Sequence, residues 1–261
     1  DGADAIPETP VAGHTGKEGF MRVTVTRPHL SGHRTAERPR QRGHEPVVLP
    51  LTAPTHDVLA AGRALEKPYG ALAITSAEAV RALSKLEDGL DPHRAAMLFT
   101  VGKVTAAAAR DTGFTAAHSA DGSGVELAAL IADHFARHGT PADPLLYLAG
   151  RPRAAGFERA LSETAIAFRT VECYHMLPID HDPDDLHQTL VERPVDVVLF
   201  YSRENVERFF SLPVFLRDQA ALSRTRFLCL SRNIANAVPP QFDTQIGVAA
   251  SPEEDDLLYL V

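Results

Sequence analysis

Apolar positions along this chain follow two periods that take turns. Short β-branched and aliphatic runs at 22–26, 47–50, 71–75, 97–101, 145–149, 168–172, 195–201, 226–230 and 246–249 read as buried strands. Between them Ala, Leu and Arg repeat at helical spacing over 56–66, 77–87, 103–112, 124–138, 153–163, 184–192, 204–222 and 232–237. A further helix is expected at 32–42, where Pro39 removes a donor and should kink or shorten it. Strict alternation of this kind predicts parallel sheets with helices on both faces. Residues 1–20 carry Gly, Pro and small polar residues without any period, and a disordered extension is expected before a strand opens at Met21.

Self-comparison adds more than any single segment. VTRP (25–28) resembles AGRP (149–152), ITSAEAVRAL (74–83) resembles FYSRENVERF (200–209), and TVGKVTAAAA (100–109) resembles CLSRNIANAV (229–238). Aligning Arg27 with Arg151, Ser76 with Ser202 and Lys103 with Arg232 gives offsets of 124, 126 and 129, in conserved order. An internal duplication explains that drift through loop insertions. Counting a weak strand near 115–118, ten core strands over two repeats make five-stranded units of flavodoxin-like size. The stretches Pro50–Pro54 and Glu172–Pro178 are linker candidates one repeat apart, so the chain is expected to cross between two units twice.

Composition narrows the function classes. At 261 residues, 44% hydrophobic and 23% charged, the chain is an ordinary globular length and mix. No run reaches the roughly 20 apolar residues of a membrane helix, and the start lacks the pattern of a signal peptide. Two cysteines, Cys173 and Cys229, imply no disulfide framework and fit a reducing cytosol. A net charge of −8 argues against nucleic acid as a general partner. Locally the balance reverses: between Arg27 and Arg42 five arginines (27, 34, 38, 40, 42) face one acid, Glu37. They form either a solvated helix face or a positive wall that attracts an anion.

Ligands of open parallel sheets bind at the carboxyl ends of the strands, where helix N-termini converge. Each repeated motif is such an end. Ser76 and Ser202 read as N-caps with free amides beyond them. Gly102, Lys103 and Thr105 form a comparable turn, mirrored by Ser231, Arg232 and Ile234. No GxGxxG or GxxxxGK[ST] occurs, so dinucleotide and P-loop readings lack support. GxSxG, HExxH and CxxC are absent too. HDPDDLHQ (181–188) reads as a solvated helix start rather than a metal site, and Asp121–Gly124 as a capped loop. Tyr174 ends a strand inside the second linker, either packed at the junction or presenting its phenol to a ligand.

The ordered set TRP (26–28), ITS (74–76), VGKVTA (101–106), LAGRP (148–152), VECY (171–174), FYS (200–202) and CLSRNIA (229–235), closed by IGVAASPEEDDLLYL (246–260), resembles uroporphyrinogen-III synthase from about Met21 to Val261. The resemblance implies two doubly wound α/β domains joined by a two-stranded linker, one holding 21–51 plus 178–261 and the other 55–173. It implies a lyase of haem biosynthesis without metal or organic cofactor, taking hydroxymethylbilane with transient hand-over from hydroxymethylbilane synthase; a cytoplasmic monomer is expected, since the cysteines fit a reducing cytosol and no exposed apolar stripe demands a partner. Such an enzyme closes that linear tetrapyrrole to uroporphyrinogen III, inverting ring D and losing water. By the same resemblance Tyr174 is the proton donor, and Arg27, Ser76, Gly102, Lys103, Thr105, Gly150, Arg151, Ser202, Ser231 and Arg232 bind substrate. Asn233 and Ile234 stand where many members carry adjacent threonines, and Ala77–Glu78 where some carry a basic residue. The alternatives are a non-catalytic bilobal sensor that binds an anion or tetrapyrrole, and a regulatory domain on an unrelated doubly wound fold.

Overall fold

The computed structural model of the chain describes residues 19–217 and 219–261. The expected extension over 1–20 therefore lies, up to residue 18, outside the described residues. In chain order the strands are β1 (Arg22–Val25), β2 (Glu45–Val48), β3 (Thr52–His56), β4 (Ala71–Ile74), β5 (Leu98–Val101), β6 (Ala117–Ala120), β7 (Leu145–Arg151), β8 (Phe168–Pro178), β9 (Val197–Phe200), β10 (Arg226–Cys229) and β11 (Ile246–Val248). The helices are α1 (His29–Gln41), α2 (Val58–Leu65), α3 (Ala77–Ser84), α4 (Gly102–Asp111), α5 (Gly124–His138), α6 (Gly156–Ser162), α7 (Pro183–His187), α8 (Arg203–Phe210), α9 (Pro213–Arg217), α10 (Arg232–Ala235) and α11 (Glu254–Tyr259).

Two sheets result. The first has the order β11-β10-β9-β1-β2 and is wholly parallel. The second has the order β3-β8-β7-β4-β5-β6 and is parallel except for the β3–β8 pair. Fully apolar or threonine-bearing strands such as RVTV, ALAI and VVLF are buried at every position, as strands covered on both faces must be. Alternate side chains accordingly feed separate cores: Val23, Val25 and Leu199 pack on one face of the first sheet, Val198, Phe200 and Phe227 on the other. The second sheet divides in the same way, with Leu72 and Leu148 opposite Ala73 and Tyr147. The chain is thus a mixed α/β protein with two parallel-dominated sheets, as its pattern predicts.

Several elements differ from the sequence expectation, each for a local reason. The first linker candidate is largely a strand, β3, which makes eleven strands instead of ten. Two prolines hide it, but β3 lies at the sheet edge, where the missing amide of Pro54 costs nothing. The second linker candidate is the far half of an eleven-residue β8, against which β3 pairs from Thr52↔Pro178 to His56↔Tyr174. Pro39 does not cut α1: it is buried in the last turn, and the helix ends at Gln41. The single helix expected at 204–222 breaks into α8, α9 and a 3₁₀ turn, because Pro213 disfavours helical geometry at Leu212. Ser123 and Glu126 cap α5 reciprocally, and the Ser123 hydroxyl draws the exposed Glu126 carboxyl below its usual range.

Both cysteines are fully buried, and desolvation pushes each thiol from 9.0 up to about 12. Because the folded value is the higher one, this contribution to stability is complete below pH 9 and lost as pH rises towards 12. Each thiol then withdraws about 1.4 kcal/mol per pH unit in that window. Thermal melts should fall steeply between pH 9 and 10.5, and Cys173→Ala/Cys229→Ala should flatten the fall. Equal slopes with and without the thiols would contradict the assignment.

Candidate functional site

Strand order sets which turns meet. At the carboxyl end of the second sheet, β8, β7, β4 and β5 deliver Tyr174, Gly150, Ser76 and Gly102 side by side. At the same end of the first sheet, β10, β9 and β1 deliver Ser231, Ser202 and Arg27.

Tyr174 reaches its place through an irregularity. Register along β7 and β8 shifts between Ala149 and Gly150, so Ala149 faces Glu172 while Gly150 faces Tyr174, and Cys173 is the extra residue. Such a bulge re-aims the following side chain. The phenol ring lies directly over Gly150, where a Cβ would come within 2.0 Å of Cζ. Tyr174 is only 8% exposed, and burial pushes its pKa up to about 12 while the neighbouring Ser76 hydroxyl pulls the other way. The phenol is therefore protonated throughout the neutral range. Beside it the hydroxyls of Tyr147 and Thr75 are 2.9 Å apart, and burial raises Tyr147 as well.

Ser76 caps α3 by accepting from the Glu78 amide at 3.2 Å. The Glu78 side chain is engaged within the protein: it meets His56 Nε2 at 3.0 Å and pairs with Arg81. Lys85 Nζ lies 2.8 Å from His56 Nδ1. The chain turns from β5 into α4 at Gly102 with φ +76, a left-handed conformation that a side chain would strain. Lys103 projects into solvent there, whereas Thr105 is buried within the first turn. Gly150 and Arg151 close β7, and the Arg151 guanidinium is exposed with Glu172 at 3.9 Å.

On the first sheet Ser202 caps α8 by accepting from the Asn205 amide at 3.2 Å, and Asn205 Nδ2 in turn donates to the Thr26 carbonyl at 3.0 Å. Ser231 stands at the cap position of α10 without a cap hydrogen bond, so its hydroxyl is not committed there; Arg232 follows, and Ile234 is buried. Arg27 is placed differently from its neighbours in the motif set. Its guanidinium binds Glu254 at 2.8 Å and Thr35 at 3.2 Å, and lies 4.5 Å over the Tyr201 ring. Glu254 also accepts from Tyr201 at 3.0 Å, and burial raises that phenol strongly. Arg27 thus ties α11 to the end of β1.

Sequence reading did not single out Tyr147, Tyr201 or the His56–Glu78 pair. Tyr147 and Tyr201 lie inside or just after motifs that were recognised, but only the sheet register shows which face they take. His56 opens the helical pattern expected over 56–66, a reading that conceals its place at the end of β3 opposite Tyr174.

The arrangement offers amides and hydroxyls at the ends of two parallel sheets, the buried and protonated phenol of Tyr174 with that of Tyr147 nearby, and cations at Lys103 and Arg151. That donor set suits an anionic substrate that must be held and supplied with one proton.

A family model described as Uroporphyrinogen-III synthase HemD matches residues 33–259. A search of curated proteins finds no significant match. Among solved structures, the chain is similar to a substituted uroporphyrinogen III synthase of Thermus thermophilus, at 23% identity and TM-score 0.53 over 92% of this chain and 96% of that one. It is also similar to the uroporphyrinogen-III synthetase of Helicobacter pylori, at 15% identity and TM-score 0.59 over 92% and 98% of the two chains. The two likenesses support the fold, and the family match spans most of the chain. This chain belongs to the uroporphyrinogen-III synthase family, the lyases of tetrapyrrole biosynthesis.

Proposed function

We propose that this chain performs its family's reaction, closing hydroxymethylbilane to uroporphyrinogen III, between the carboxyl ends of its two sheets. The observation that carries this reading is the juxtaposition of Tyr174, Ser76, Gly150 and the Gly102 turn along one sheet edge. Tyr174 donates its proton to the leaving hydroxyl of the substrate; the C–O bond breaks, water departs, and an azafulvene remains. The substituted carbon of ring D attacks that carbon to form a spiro intermediate, which reopens and closes at the unsubstituted carbon. The proton lost from that carbon in the final step restores the phenol, so the sequence balances as loss of one water.

Dehydration of an electron-rich pyrrole needs little help, whereas choosing the attacking carbon needs strict positioning. Amides at the N-termini of α3, α4 and α8, with the Ser76, Ser202 and Ser231 hydroxyls, are assigned to the carboxylates of the substrate. Lys103, Arg151 and Arg232 supply charge, Gly102 and Gly150 supply close backbone approach, and Thr105 supports the α4 turn. Arg27 acts by holding α11 rather than by touching substrate, given its engagement with Glu254.

The two sheets are read as domains, 21–51 plus 178–261 and 55–173, hinged about the β3–β8 ribbon and descended from one duplicated unit. Matching strand orders support this: β8-β7-β4-β5-β6 corresponds to β2-β1-β9-β10-β11 under the sequence offsets. Large exposed apolar side chains are scattered over separate elements (Leu30, Leu59, Val125, Leu216), which favours a monomer. A cytoplasmic enzyme receiving its labile substrate from hydroxymethylbilane synthase completes the reading. Product analysis tests it: with hydroxymethylbilane generated in situ, isomer III is expected, and isomer I alone, as without enzyme, would refute the assignment.

A further inference from the structure

Four of the five arginines between Arg27 and Arg42 are engaged within the chain. Arg27 pairs with Glu254 at 2.8 Å, Arg38 with Asp255 at 2.8 Å, Arg40 with Glu37, and Arg42 with the Leu258 carbonyl. Arg34 differs. It is exposed on α1, has no partner among the described residues, and lines a cavity of about 280 Å³. Across that cavity stand Arg81 of α3 and Lys103 of α4, so cations from both sheet units share one small space. Lys103 likewise has no ion-pair partner among the described residues, and Arg81 shares Glu78 with His56. One acid, Asp111, lines the same cavity.

Arg34 and Lys103, without ion-pair partners among the described residues, repel each other in the empty protein beside the Glu78-paired Arg81, and an entering anion relieves that repulsion. The cavity runs along the flanks of α3 and α4, and the partial positive charge of their N-termini bears on the end of it lined by Ala77 and Lys103. The remaining wall includes the methyl groups of Ala77 and Ala107, which suit the methylene arm of an acetate or propionate below its charged head.

We propose that this cavity is a subsite for one carboxylate arm of the substrate, with Arg34 reaching it from the first-sheet unit to clamp that arm against Lys103 and Arg81. The inference rests on the reaction assigned above. Arg34 then contributes positioning and specificity: a tetrapyrrole lacking that arm loses the contact, and a bound arm links the two units. Asp111 repels the same carboxylate, so its neutralisation should act in the opposite direction.

Steady-state kinetics with hydroxymethylbilane test this. Arg34→Gln and Lys103→Gln are each expected to raise KM about tenfold, as loss of a charge-assisted contact does, with kcat changed less than about twofold. Arg34→Lys should recover most of the loss, Asp111→Asn should lower KM by about two- to threefold, and the rise of KM with NaCl should be shallower in Arg34→Gln than in wild type. An unchanged KM in Arg34→Gln, or a raised one in Asp111→Asn, would overturn the subsite. Wild-type formation of isomer III alongside an unchanged Arg34→Gln KM removes the subsite alone, whereas isomer I alone from wild type removes the reaction and the subsite with it.

Discussion

Tyr174→Phe is expected to lower kcat by about 10²-fold or more, with KM within about twofold of wild type, as removal of a proton donor does. The substitution deletes one oxygen and leaves the ring over Gly150, so packing at the bulge survives. The split between the two constants matters, because a hydroxyl that only bound substrate would raise KM and spare kcat. With its pKa pushed up to about 12, the phenol stays protonated well beyond neutrality, and wild-type activity should show no alkaline limb from Tyr174 below about pH 11. A donor this weak suits a leaving group that departs with push from the pyrrole nitrogen. Single-turnover rates with chemically prepared hydroxymethylbilane measure the step, and a rate equal to wild type would take Tyr174 out of the acid role.

Gly150→Ala carries the second large effect and reaches the same atom from the opposite strand. The added methyl would lie 2.0 Å from Tyr174 Cζ and 2.3 Å from its hydroxyl oxygen, closer than any real contact, so the ring must leave its position. Overpacking at a buried contact of this kind costs about 1–3 kcal/mol of stability. Activity should fall at least tenfold besides, since displacement of about 1 Å at a reacting group has that consequence. The decisive comparison is the double variant. If Gly150 acts by seating Tyr174, Gly150→Ala in the Tyr174→Phe background should lower kcat little further. Full additivity would show that Gly150 serves the reaction in some other way.

Much of the fold was legible because most strands are short, apolar and bounded by a helical period. Nine strand expectations fall on observed strands, and the repeat offsets assign them to equivalent places in two sheets. What escaped was information that only pairing creates. Pro54 within β3 and Pro50 just before it suggest a loop, and the edge position that makes Pro54 harmless exists only once β8 is in place. The bulge at Cys173 likewise cannot be read from VECY, since it depends on register against β7. The candidate site shows the same division. Ser76, Gly102, Gly150 and Ser202 were legible as strand-to-helix turns, and their row along the sheet edges follows from strand order. Arg27 was grouped with them because it ends a strand, but its partner Glu254 lies 227 residues away. Arg34 belonged to a visible run of arginines. Its distinction within that run lies in the partners its neighbours find, Glu254, Asp255 and the Leu258 carbonyl on α11 and Glu37 on α1.

The central claim is that ligand binds where the two rows of strand ends carry their amides and hydroxyls. Hydrogen–deuterium exchange of the protein with and without uroporphyrinogen III, kept reduced, measures it most directly. Protection is expected at the amides of 76–79, 102–105 and 150–151 on the second sheet and of 202–205 and 231–234 on the first. Protection confined to one sheet, or lying on the outer side of the β3–β8 ribbon around Leu59 and Leu177, would contradict it.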